Sequence, residues 1–152
     1  MARRTDATTR LAVALFWAEV AAFALMLGTT FGSFLEILGR SAFLGLMGVC
    51  LLLGLALLLV SARAKPGKPV QWFLMLAGAS PVGFALGGVL HNAFYVLVTV
   101  TGKWPILNAA MEVLEMAFFV IAILLCPVAF LVGTVGAIVL LVRRSGPAAA
   151  AA

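Results

Sequence analysis

Charge is scarce in this chain: only 10% of its 152 residues are Asp, Glu, Lys or Arg, and it holds one His and two Cys. Each shortage excludes something. A single histidine rules out bis-His haem ligation within one chain, and the Glu-x-x-His pairs of carboxylate di-iron bundles are absent. Cys50 and Cys126 form no C-x-x-C redox pair and no zinc spacing, and read as buried thiols. No phosphate-binding glycine loop and no serine or cysteine nucleophile with its base is present. With 65% hydrophobic residues and a mean hydropathy of +1.24, the chain has too little polar surface to coat a water-soluble globule. Lipid is the solvent the composition implies, and the sequence names no cofactor.

What the sequence does have is four long apolar runs, at residues 11–30, 41–61, 70–100 and 105–142. A helix needs about 20 residues to cross roughly 30 Å of hydrocarbon. Helices are the expected form, because lipid offers backbone groups no partner and the runs lack the alternating polarity of a barrel strand. The expectation is an all-α, polytopic four-helix bundle, with a basic N-terminus over 1–10 and an Ala-rich tail over 143–152. The first run has a basic start like a signal peptide. Glu19 interrupts it and no small-residue cleavage site follows, so it reads as a mature helix. Ser41 sits where an N-cap would open the second helix, and the Pro-rich stretch 61–69 breaks the chain before the third. Pro105 suits a first helical position.

Basic residues orient the bundle. Arg3, Arg4, Arg10, Arg63, Lys65, Lys68, Arg143 and Arg144 flank one side of the runs, and only Arg40 and Lys103 flank the other. The positive-inside rule therefore places both termini in the cytoplasm. Trp72 falls near the inner boundary, Tyr95 and Trp104 near the outer one, where aromatic belts lie. The net charge of +5 is topogenic in this reading. No basic stripe is interleaved with exposed aromatics, so nucleic acid is not an expected partner.

The last two runs are longer than the bilayer: about 31 and 38 residues span about 46 and 57 Å. Tilt does not absorb that excess. Helices three and four are expected either to extend on the outer side as an antiparallel hairpin or to break there, at Pro81 or Pro127. Polar residues gather in this extension. Counted from Gly102, His91 and the pair Glu112 and Glu115 share a height, and Asn108, Glu112 and Glu115 occupy one helix face. Asn92 and Tyr95 flank His91, and Glu36 comes from the first outer connection. As a site, His91, Glu112 and Glu115 would bind a divalent cation or relay protons. As structure, the same residues would be a hydrogen-bonded clasp.

Glu19 is the other candidate, just short of the midplane with no Lys or Arg at its depth. A hydrogen bond to Ser80 or Thr134, or a slide toward the inner headgroups, would account for it structurally. The run Ala18, Glu19, Val20 followed by Leu27, Gly28, Thr29 and Thr30 resembles the first helix of the small multidrug resistance transporters over about a dozen residues. That resemblance implies a proton-coupled carboxyl. The rest of the chain differs from those transporters, and the family is not adopted.

Small residues mark packing faces: Gly83 and Gly87 on helix three, Ala129, Gly133 and Ala137 on helix four. Three functions follow, in this order. The first is a non-catalytic accessory or scaffold subunit of a larger membrane complex. The second is a small transporter or channel component using Glu19, and the third a membrane enzyme or metal-binding subunit with its site on the outer face. The expected partners are the lipid bilayer and either other membrane chains or further copies of this one. The orientation is tested by cysteine labelling in sealed cells: a cysteine placed at Lys103 should react with an impermeant maleimide and one at Lys65 should not. The opposite pattern inverts the topology.

Overall fold

The computed structural model describes the backbone of residues 2–31, 34–64 and 67–145, and the side chains of 7–29, 43–64 and 67–143. It is all-helical: α1 (Ala2–Phe31), α2 (Phe34–Arg63), α3 (Lys68–Thr101) and a fourth rod made of α4 (Pro105–Val120), a π-helical turn (Ile121–Leu125) and α5 (Cys126–Ser145). The rods run up and down in sequence. Four stretches are long and apolar enough to cross a membrane: Ala7–Thr29, Phe43–Arg63, Lys68–Thr101 and Pro105–Arg143.

Helices one and two begin earlier than their apolar runs. Ser41 does not cap α2 but lies inside it, seven residues after its start. Leu35, Glu36 and Leu38 are good helix formers, and no proline intervenes, so the helix continues past the hydrophobic boundary. The side chains of Glu36, Arg40 and Ser41 lie outside the described residues.

The turns follow local chemistry. Gly67, at φ 97°, takes the left-handed conformation that leads into α3, and Pro69 sits in the first turn, where a missing N–H costs nothing. Gln71 fastens the same end, its Nε2 donating to the Ser61 carbonyl at 3.0 Å. At the other end the Trp104 amide donates to Thr101 O at 2.8 Å, and Pro105 opens α4.

Neither internal proline breaks its helix. Pro81 sits within a continuous α3. Ahead of Pro127 the rod widens instead: the Cys126 amide bonds Ile121 O, five residues back. A proline has no N–H for the carbonyl four residues earlier and its ring crowds that carbonyl, and a π turn is one way to make room.

α3 is the central element. A Cβ built at Gly54 of α2 would lie 2.7 Å from Gly78 O, and one at Gly78 would lie 2.9 Å from Gly54 O. On the other side, Gly133 approaches Ala77, where a Cβ would come within 2.7 Å of the backbone nitrogen, and Gly136 accepts the Phe73 ring. Gly83 faces Cys126 Sγ and Gly87 faces Ala122, continuing one antiparallel register along the pair. Ala137 is buried, whereas Ala129 is only partly so.

α1 closes the bundle with a stripe of Ala12, Phe16, Glu19, Phe23 and Met26, all buried. Their spacing of three and four residues puts them on one face. Phe16 packs in an inner layer with Leu57, Leu74 and Ala137. Phe23 packs in an outer layer with Cys50, Phe84 and Phe130, its ring 4.3 Å from that of Phe130.

Gly133→Leu should lower stability by about 1–3 kcal/mol, because the new side chain meets backbone that cannot retreat. Gly48→Leu, where a Cβ meets nothing within 4 Å, is the control. Thermal unfolding in mild detergent should shift for the first and stay near the parent for the second.

Candidate functional site

Beyond Gly87, α3 has no buried residue, and α4 has none along its length. The polar side chains of the α3–α4 hairpin therefore occur where neither helix buries a residue. The register set by Gly133, Gly83 and Gly87 continues outward and pairs Thr101 with Asn108. The hairpin is thus centred near Trp104 and Pro105, not at Gly102. That displacement sets His91 opposite residue 118, so Glu115 lies about one turn, and Glu112 about two, farther out.

Two polar groupings result. In the first, His91 Nδ1 lies 3.3 Å from the Glu115 backbone oxygen and 3.7 Å from its Oε1. Both neighbours are acceptors, so Nδ1 is the nitrogen that carries the proton in this arrangement. The ring also packs on Phe119, with centroids 5.2 Å apart, and one turn farther out Phe94 stacks on Phe118 at 5.5 Å. In the second, Thr101 Oγ1 donates to Leu97 O at 2.8 Å and lies 3.4 Å from Asn108 Oδ1, while Asn108 Nδ2 donates to Glu112 Oε1 at 2.7 Å. The Asn108 to Glu112 bond links the first two turns of α4.

Asn92 and Tyr95 are not drawn in. Asn92 Nδ2 donates to Gly88 O of its own helix at 2.7 Å, and Tyr95 is exposed. Among the described residues, no group of three or more His, Cys, Asp or Glu side chains could hold a metal ion. His91, Glu112 and Glu115 line one cavity, with the imidazole against Glu115 and with Glu112 Oε1 engaged by Asn108.

Two cavities meet at His91 and Phe119. One, of about 450 Å³, opens between His91, Glu112, Glu115 and Met116. The other, of about 430 Å³, runs inward between α2 and the fourth rod, with Phe43, Met47, Phe84 and Ile123 among its walls. The apolar cavity was not visible in the sequence, because its walls come from three rods whose relative packing the sequence does not give.

Glu19 belongs to a different place. It is 0% exposed and near the middle of the Ala7–Thr29 span. Neither carboxyl oxygen has a hydrogen-bond partner, and neither does Thr134 Oγ1. One helical turn from the Phe23–Phe130 contact, the antiparallel register sets Glu19 and Thr134 in the same layer. Ser80 is already used, donating to Leu76 O at 2.8 Å. The expected bonds from Glu19 to Ser80 or Thr134 are therefore not made.

Purified protein should carry no stoichiometric divalent metal, and His91→Ala should leave its elemental analysis unchanged. A metal content near one per chain that the substitution abolishes would instead support a metal site at His91. Comparison with protein-family models, curated proteins and solved structures finds no match to this chain.

Proposed function

We propose that this chain is a small integral membrane protein that serves as a non-catalytic accessory or scaffold subunit of a larger membrane complex. Both termini lie in the cytoplasm, because Arg10, Arg63, Lys68 and Arg143 share one end of the bundle. The apolar spans of helices three and four, 34 and 39 residues, exceed the 23 and 21 of the first two by 11 to 18 residues, about 17 to 27 Å of helix, and the excess falls at the outer end.

The observation that carries the proposal is the contrast between the two halves of the fourth rod. Its inner half packs against α3 backbone to backbone, whereas α4 buries no residue at all. Ile106 and Val113, seven residues apart, form one strongly exposed apolar face. That face points away from the His91 and Glu115 contact. A membrane helix of a partner protein fits there, by the van der Waals packing that drives association in lipid.

A photoreactive side chain at Val113, introduced in the native membrane, should cross-link to one larger membrane protein that also co-migrates after gentle solubilisation. Cross-links to lipid alone would overturn the proposal. Cross-links to a second copy alone would favour an oligomeric transporter. That second reading rests on the unpartnered Glu19 and Thr134. It requires pH-dependent substrate flux that Glu19→Gln abolishes.

A further inference from the structure

We infer that the two cavities joined at His91 form a single binding site for a membrane lipid with an amine-bearing headgroup. The inference is independent of the subunit proposal, which uses the opposite face of α4. Three observations support it, and the first is the arrangement of polarity. The apolar cavity extends inward from His91 along Gly88 and Phe84, toward the middle of the spans. The polar one extends outward along Glu115 and Glu112. A lipid of the outer leaflet has the same sense, with its acyl chain pointing to the midplane and its head toward the aqueous side.

The second observation is the wall chemistry. The inner cavity is bounded by apolar residues, apart from the polar His91 and Asn92 at its outer end, and Asn92 has turned its amide to Gly88 O. Such a surface suits a hydrocarbon chain and offers nothing to a polar solute. Room for the chain is present at Gly88, where a Cβ would meet nothing within 4 Å, in contrast to the crowded glycines of the same helix at 78, 83 and 87.

The third is charge. The head cavity presents the carboxyl groups of Glu112 and Glu115. His91 Nδ1 is directed to Glu115, and Asn108 donates to only one oxygen of Glu112. Acceptor capacity remains on both acids for an ammonium head, which brings three N–H donors. An anionic headgroup would meet like charge there. The aromatic edge of Phe119, shared by both cavities, marks the boundary between chain and head.

The test uses the full chain in nanodiscs of phosphatidylcholine carrying a trace of phosphatidylethanolamine with a photoreactive group in its acyl chain. Cross-linked peptides should concentrate in residues 43–47, 84–89 and 119–123. Unlabelled phosphatidylethanolamine should compete at least fivefold better than phosphatidylglycerol. Gly88→Phe, which fills the groove from an open position, should cut labelling about tenfold while thermal unfolding stays near the parent. Glu112→Gln with Glu115→Gln should erase the preference for the amine head and retain labelling of the groove. Labelling spread evenly over the lipid-facing helices, or unchanged in Gly88→Phe, would overturn the site. Equal competition by phosphatidylglycerol would overturn the headgroup assignment.

Discussion

At Gly54 and Gly78 the backbones of α2 and α3 come so close that a methyl group on either would lie within 3 Å of the other's carbonyl oxygen. Between helices in lipid there is little hydrophobic gain to be had, because the tails are as apolar as the side chains they would replace. Close approach supplies the dispersion contacts instead. The same device recurs on the opposite side of α3, where Gly133 meets Ala77. α3 is thereby fixed to both neighbours. The inward stripe of α1, including Glu19, is then enclosed by a scaffold whose position glycine has set.

The outer half of the molecule obeys a different rule. Once α3 passes Gly87, close packing gives way to larger groups: aromatic contacts of Phe94 with Phe118 and His91 with Phe119, and polar contacts of His91 with Glu115 and Asn108 with Glu112. Bulky side chains hold the rods apart, and cavities form beside them. The polar side chains that stood out in the sequence thus help to hold two antiparallel helices together where neither buries a residue. Their chemistry is shared between that role and whatever enters the cavities.

The membrane spans were legible because hydropathy needs no tertiary information: the four apolar runs coincide closely with the stretches that can span. The helix ends were not, since α1 and α2 continue through polar residues that hydropathy penalises and helix propensity permits. Gly83, Gly87 and Gly133 were visible as repeats along one helix, whereas Gly54 and Gly78 match only across two and leave no repeat to find. Placing Glu115 near His91 required only the hairpin. Placing Glu112 level with His91 came from centring that hairpin on Gly102, when the structure turns about Trp104 and Pro105 and sets Glu112 about two turns farther out. The mid-span position of Glu19 could be counted along the sequence, but its burial without a hydrogen-bond partner depends on how the helices pack, which no count reveals.

The π turn at Ile121–Leu125 lies where these two regimes meet. A wide turn takes in one extra residue, so α4 presents its faces at an angle about 100° from where an unbroken α-helix would carry them. The fourth rod consequently behaves as two segments joined by an angular offset. The inner segment keeps its glycines toward α3 while the outer one keeps its polar row beside His91. A lineage could alter the outer row, residue by residue, without disturbing the inner seam, because the offset uncouples their phases.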